Sequence, residues 1–362
     1  MTTPHSPMSL PSPTPSVDSI VLEAKGVNLF PVPKKLPEWH AKVNTTGFTF
    51  KTRTGHPQAR QTVVALSHLK TCIERCERNK DVRDAEKWAQ LFNDLRDSIH
   101  KAEITLKVDE YILVKTNMMM STVGLARILN SKTVPYPWDV KADAWQLFSR
   151  WYDGNFEIDL LRGLVTSTDK KRNRDSIDPE YRSKFPASAN CYGEGKLVLG
   201  QWWPTQLCTV RDGAHGCPQG GIYGERGRGC YSIVLSGMGE SAYQDEDNGD
   251  DIWYSGTDGK DYQMTDATQR LMDTCKTIRN PVRVIRSHQL HKNNPYRPRR
   301  GLRYDGLYDV TEFELIDPVK AVYKFHLVRS SKQHPARWGE TQASRPTRFE
   351  LAAEGKLRGR ID

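Results

Sequence analysis

The stretch that decides the fold begins at Arg211-Asp212-Gly213-Ala214-His215-Gly216. It continues through Gly221-Ile222-Tyr223-Gly224 and Cys230-Tyr231-Ser232-Ile233-Val234-Leu235-Ser236-Gly237. An acidic, Gly-punctuated loop follows, then Tyr254-Ser255-Gly256, Pro281-Val282-Arg283-Val284 and Gly301-Leu302-Arg303-Tyr304-Asp305-Gly306-Leu307-Tyr308. Short runs rich in β-branched and aromatic residues, bounded by Gly and Asp, predict strands over 197–199, 231–235, 282–285 and 319–328. A helical pattern over 265–277 interrupts them. Strands at irregular spacing with a helix between them imply an α+β unit, a twisted, partly closed β-barrel with helices against it.

Working outward, the chain has 362 residues, room for more than one domain. Residues 1–55 open with Pro4, Pro7, Pro11, Pro13 and Pro15 among serines and threonines, which predicts a disordered Pro/Ser-rich tail. Val27 to Phe30 and Trp39 are the one candidate anchor in it. Over 56–165 the period becomes helical: Leu66, Leu69, Ile73 and Cys76, then Trp88, Leu91, Phe92, Leu95 and Ile99. Further helices are expected over 108–129 and 138–151, separated by Pro135 and Pro137. This reads as a helical bundle, structural or protein-docking. A basic linker is expected over 166–192, carrying Lys170-Lys171-Arg172-Asn173-Arg174. That cluster suits nuclear import, a phosphate contact or a solvated charge run. The strand-rich unit spans 193–342. A charged C-terminal tail over 343–362 has a short helix expected at 349–357.

Lys and Arg number 53 against 44 Asp and Glu, a net charge of +9. The balance favours a polyanionic partner. Mean hydropathy is −0.66, and no run of 18 apolar residues occurs, so no membrane partner is expected. The first residues lack a charged start followed by an apolar core, so no secretory signal is read there. The cysteines number seven, without CxxC spacing, which points to reduced thiols in the cytosol or nucleus and to no metal site. No cofactor motif is present.

In their order and spacing these motifs resemble the SRA-YDG family, readers of methylated cytosine in DNA, of fungal or plant-like type. The resemblance implies a PUA-like saddle fold and a nuclear, non-catalytic DNA-binding protein. Its partner would be methylated DNA, double-stranded and also single-stranded, with 5-hydroxymethylcytosine as a second candidate base. The family flips the base out of the duplex into a pocket. Flipping costs a few kcal/mol. Aromatic faces return ~1–3 kcal/mol per stacked base, and a carboxylate accepts the cytosine N4 amine. The positions matching that pocket are Ser236, Gly237, Tyr243, Asp245, Tyr254 and Ser255, with Asp247 supporting the loop. The loop entering the duplex corresponds to His215, Gln219, Gly220 and Gly221, with Gln219 as the wedge. Arg211 and His215 would hold its base. Arg211, Arg283, Arg286, Lys292, Arg297, Arg299 and Arg300 are the expected phosphate contacts. The finger loop that follows the pocket strand, over 259–269, is short and lacks Asn-Lys-Arg, which implies little reading of the opposite strand. Tyr304, Asp305 and Gly306 read as a structural turn. The alternatives are a modification-dependent nuclease and a chromatin scaffold whose DNA site has decayed.

Overall fold

The computed structural model describes residues 30–43, 57–169, 172–237 and 245–358. Among the described residues six helices precede the strands, the first five being α1 (Glu38–Lys42), α2 (Pro57–Arg78), α3 (Ala85–Thr105), α4 (Glu110–Thr116) and α5 (Ala126–Asn130). A sixth, α6 (Trp138–Tyr152), closes the group. Leu66, Leu69 and Ile73 of α2 meet Leu95 and Ile99 of α3 and Leu147 and Phe148 of α6 in one apolar core. Asp84 caps α3 by accepting from the backbone N–H of Glu86 and Lys87.

The helix expected over 108–129 breaks in two. Asn117 takes a left-handed φ of 56° at the end of α4. Gly124 then passes so close to Met118 that an added Cβ would lie 1.8 Å from the Met118 carbonyl oxygen. Only glycine fits that crossing.

Part of the expected N-terminal tail is docked. Trp39 donates its indole N–H to the carbonyls of Trp151 and Tyr152 at 3.1 Å each and packs edge-on against Phe156. Residues 1–29 and 44–56 lie outside the described residues. The expected linker also has structure. Strands β1 (Leu164–Asp169) and β2 (Arg172–Ile177) form an antiparallel hairpin, followed by α7 (Pro179–Lys184) with Asp178 as its cap. Apart from the exposed Val165 its outward-facing residues are polar, as in Thr166 donating to Asp175 at 2.7 Å, so it carries no apolar alternation. Lys170 and Lys171 lie outside the described residues.

The α+β expectation for the second half holds. After β3 (Trp202–Trp203) and α8 (Gln206–Arg211) come β4 (Ile222–Glu225), β5 (Gly229–Leu235), β6 (Glu246–Asp247) and β7 (Asp251–Ser255). Helix α9 (Asp266–Asp273), extended by a π-helical turn over Thr274–Ile278, leads to β8 (Val282–Ser287), β9 (Leu302–Asp317) and β10 (Val322–Arg329). The sheet order is β4-β5-β8-β9-β10-β7-β6, with β3 on β9. Among the described residues no ladder joins β4 to β6, so the sheet is strongly paired but open. The run 197–199 is buried yet not a strand; it is a turn that hands the chain to β3. Strands β5 and β8 pair in parallel and are buried along their whole length.

The expected turn at Tyr304–Gly306 is a β-bulge inside β9. Ile285 faces Tyr304 while Val284 faces Gly306, so Asp305 is the extra residue. Gly306 takes φ +110°, and an added Cβ would meet Gln333 at 2.6 Å. The bulge turns Asp305 into a fully buried ion cluster. Asp305 accepts from Arg303 at 2.5 and 2.9 Å and from Arg286 at 2.9 Å. Arg286 also donates to Asp247 at 2.6 and 2.8 Å and to the Gly249 carbonyl at 2.6 Å. Burial alone would raise the Asp305 carboxyl, but Arg303 and Arg286 outweigh it and hold it below its ordinary value.

The expected charged tail is likewise folded. Helix α10 (Arg348–Arg358) packs on α3. Asp143 of α6 is buried and accepts from His100 at 2.6 Å, from Arg337 at 2.5 and 2.8 Å and from Arg345 at 3.0 Å. Arg345 also pairs with Glu350 of α10. The charges are buried as partners, so the segment reads as a solvated tail only in one dimension.

Removing one partner of a buried cluster leaves the others uncompensated. Asp305→Ala is expected to cost about 3–5 kcal/mol in urea unfolding. Arg299→Ala, which removes an exposed pair with Glu340, is expected to cost under about 1 kcal/mol. Equal losses would mean the bulge cluster is not what holds the sheet.

Candidate nucleic-acid interface

Three pieces meet at one end of the sheet: the 215–221 loop, the end of β7, and residues 245–250. The loop is pinned at its base. His215 is fully buried between β5 and the loop. Its Nδ1 lies 2.8 Å from the Ser232 hydroxyl and its Nε2 2.9 Å from the Gly220 carbonyl. Burial pushes the imidazole down to about 4, so at neutral pH it is uncharged, with Nε2–H donating to Gly220 and Nδ1 accepting from Ser232. Gln206 donates to the carbonyls of Cys217 and Gly220 at 2.9 and 2.8 Å. Pro218 and Gln219 are left exposed at the tip.

Gly221 ends this loop against Tyr254. An added Cβ there would lie 2.6 Å from the Tyr254 hydroxyl. Tyr254 is 6% exposed, with its hydroxyl 3.5 Å from the Val234 carbonyl. Burial first, then the nearby Asp245 and Cys230, raise its phenol well above the ordinary value, so it stays neutral. Asp245 accepts the Ser255 backbone N–H at 2.8 Å. Burial pushes its carboxyl up to about 6, with Asp247 adding to the rise; Ser255 and Lys324 oppose it. Asp247 does not share this role. It is committed to Arg286, to Asn294 at 2.9 Å and to the Gly249 N–H at 3.1 Å. Ser236 is half-buried at the end of β5, and Gly237 is exposed with φ +60°. Tyr243 lies outside the described residues.

Three expected phosphate contacts are corrected. Arg283 is fully buried, donating to the carbonyls of Ala189, Cys191, Gly193 and Ala214 at 2.6, 2.5, 2.9 and 3.1 Å. Arg286 is fully buried in the Asp305 cluster. Arg211 is 2% exposed, paired with Asp212 and bonded to the carbonyls of Leu160 and Arg162. None of them reaches solvent. Arg297 is half-buried and donates to the carbonyls of His288 and Leu290. Lys292, Arg299 and Arg300 are exposed.

The short finger is a tight hairpin. Lys260 pairs with Gln263, Asp261 and Tyr262 take left-handed φ of 51° and 62°, and Tyr262 is 73% exposed. Sequence reasoning missed Lys324, which faces Asp245 and pairs with Glu246, and Asn294, which donates to Asp247. They come from β10 and the 288–300 segment, and no local pattern ties them to the acidic loop.

Residues 192–333 match the family model of the SAD/SRA domain. The E3 ubiquitin-protein ligase ORTHRUS 2 of Arabidopsis thaliana is 30% identical over 179 residues, 45% of this chain and 27% of that protein. Human E3 ubiquitin-protein ligase UHRF2 is 30% identical over 183 residues, 42% of this chain and 22% of that protein. The chain thus matches about a quarter of the length of these relatives. Among solved structures, the SUVH5 SRA domain in complex with hemimethylated CG DNA is 32% identical, covering 38% of this chain and 91% of that one, with a TM-score of 0.31.

Crowding at the junction of loop and pocket gives a sign test. Gly221→Ala should push the Tyr254 ring and lower stability by about 1–3 kcal/mol. Gly355→Ala, in α10 with nothing within 4 Å, should raise stability by up to about 1 kcal/mol. Thermal melts of the two variants should move in opposite directions; a Gly221→Ala melt at or above wild type would contradict the close approach.

Proposed function

We propose that this chain, which carries a SAD/SRA domain over residues 192–333, is a non-catalytic, nuclear reader of 5-methylcytosine in DNA. The observation that carries the reading is Asp245, a half-buried carboxyl held by the Ser255 N–H at 2.8 Å beside the neutral Tyr254. A flipped cytosine needs an acceptor for its N4 amine and an aromatic face for its ring. Tyr243 is the second proposed face. Gln219, exposed on a loop whose base His215 and Gln206 fix, is the proposed wedge: its amide can bond the guanine left unpaired. Gly220 and Gly221 let the loop backbone approach closely. Ser236 and Gly237 would line the methyl side, where burial of one methyl is worth about 0.8 kcal/mol. 5-Hydroxymethylcytosine is the second base proposed for the pocket.

Lys292, Arg297, Arg299 and Arg300 are the proposed phosphate contacts. With the finger reduced to a tight hairpin, the opposite strand goes largely unread. The helical part over 56–165, distinct in sequence pattern from the SRA domain proposed over 193–342 though packed against it, is proposed to dock a protein partner.

Fluorescence polarisation on oligonucleotides differing only in the cytosine methyl tests this. Asp245→Ala and Tyr254→Ala should each cost about 1–3 kcal/mol on methylated DNA and erase the methyl preference while keeping salt-sensitive general binding. Arg299→Ala with Arg300→Ala should weaken methylated and plain DNA alike and flatten the salt slope. Hemimethylated and fully methylated duplexes should bind within about tenfold, ~1.4 kcal/mol. An unchanged methyl preference in Asp245→Ala would remove the pocket from this position, and magnesium-dependent cleavage of methylated DNA would favour a nuclease.

The pH dependence has a definite sign. The Asp245 carboxyl is raised to about 6, so it takes up a proton as the pH falls through that value and ceases to be a full acceptor. The ratio of methylated to plain affinity should therefore fall between about pH 7.5 and pH 5. By the same linkage, ionising Asp245 costs folded-state stability as the pH rises through about 6. Asp245→Asn should flatten the ratio; a step of wild-type size in that variant would assign it to another group.

A further inference from the structure

Six arginines line a cleft of about 280 Å³ where α3, the segment entering β9 and the segment leading into α10 meet: Arg96, Arg297, Arg299, Arg303, Arg345 and Arg348. Three of them are neutralised from within. Arg96 donates to Asp139 at 2.6 and 3.1 Å, Arg303 pairs with Asp305, and Arg345 pairs with Asp143 and Glu350. These three shape the floor and are not available to a ligand.

The other three stand at the rim. Arg297 donates through Nη1 to the carbonyls of His288 and Leu290 at 3.0 and 2.9 Å. Its Nε and Nη2 reach solvent, and no carboxylate among the described residues pairs with it. Arg299 holds Glu340 and Arg348 holds Asp97, each at 2.5 Å. All four of these side chains are exposed, from 45% to 81%. A single exposed pair contributes little to stability, because water screens it and two side chains must be ordered to make it. A phosphate oxyanion, which accepts several charge-assisted hydrogen bonds at once, can therefore take the place of either carboxylate.

The rim is also close to the proposed base pocket. Asp247, two residues after Asp245, accepts from Asn294 at 2.9 Å, and Arg297 follows Asn294 by three residues. Along that path the cleft lies roughly 30 Å from Asp245 at most. One turn of a duplex is about 34 Å long. DNA engaged at Asp245 thus meets the cleft within a turn.

We propose that the cleft takes a backbone phosphate of the same duplex that the Asp245 pocket engages, held between Arg297 and Arg299 on one side and Arg348 of α10 on the other. Arg348 and Asp97 lie outside residues 192–333, the part that matches the SAD/SRA family model. The DNA platform then extends past that domain onto α10, with Glu340 and Asp97 swinging aside. This rests on the DNA-reader reading and adds to it a surface that carries affinity without reading sequence or methylation.

The test is fluorescence polarisation of the full chain across a salt series, on methylated and plain duplexes of about two turns. Arg348→Gln should weaken both DNAs by about three- to tenfold, lower the salt slope by about one and leave the methyl preference intact. Arg348→Lys, which keeps the charge, should keep the slope. Arg78→Gln removes an equally exposed arginine that lines no part of this cleft, and should bind as wild type. With the methylated cytosine placed near one end of the duplex or near the other, the Arg348→Gln loss should be confined to one placement, since the cleft lies to one side of the pocket. Wild-type affinity and slope in Arg348→Gln overturn the proposal, as does an equal loss in Arg78→Gln or in both placements. If that happens while Asp245→Ala still erases the methyl preference, the surface falls and the reader stands. If Arg348→Gln weakens DNA for which the wild type shows no methyl preference, the surface stands and the pocket falls.

Discussion

The extra residue in β9 is the constraint on which the site depends. A regular strand would leave Asp305 on the wrong face or out of register. The bulge turns it inward, where it compensates Arg286 and Arg303 in a place that water does not reach. Arg286 can then hold Asp247 and the Gly249 carbonyl. That anchors the far end of the acidic loop and brings Asp245 to the end of β7. An isolated buried guanidinium would be too costly to keep; the cluster exists because every member has a partner.

A second set of buried contacts fixes the other side of the site. Arg283 gathers four carbonyls from the 189–193 segment and from Ala214, just ahead of the 215–221 loop. His215 then ties the end of that loop to β5. Both residues satisfy backbone oxygens that no sheet ladder reaches. Rigid support beneath an exposed tip fixes the shape of that loop. It also changes how the net charge of +9 is to be understood. Several of the arginines that look cationic in the sequence are internal struts, so the charge available to a polyanion resides on fewer residues, Lys292, Arg299 and Arg300 among them.

The helical and sheet parts are joined by charge as well as by apolar packing. Asp143 receives two guanidiniums from the segment after the sheet, and Arg345 continues to Glu350 of α10. Burial would raise the Asp143 carboxyl; Arg337, Arg345 and His100 overcome that and keep it well below its ordinary value. The last residues of the fold thereby return to the helices that began it. The proposed boundary near residue 193 is a division of sequence pattern, crossed in space by these contacts.

Local pattern carried the sequence a long way. The spacing of Leu66, Leu69 and Ile73 and of Leu91, Leu95 and Ile99 marked two helices because an amphipathic face repeats every turn. The runs at 231–235 and 282–285, rich in β-branched and aromatic residues, marked two strands because such side chains fit a pleated, packed surface. The motif order pointed to Asp245, Tyr254 and the 215–221 loop. What stayed hidden was whatever depends on three-dimensional neighbours. Arg211, Arg283 and Arg286 looked like solvent-facing cations, since a sequence records charge but not the carbonyls and carboxylates folded over it. Tyr304-Asp305-Gly306 reads as a turn in sequence and is a bulge in space, since Tyr-Asp-Gly suits either and only the partner strand decides. The 343–362 segment looked like a solvated tail, since its charges are complementary to residues some 200 positions away. Composition and periodicity determine which elements form; burial, and the pairing of charge that burial demands, is decided only when distant segments meet.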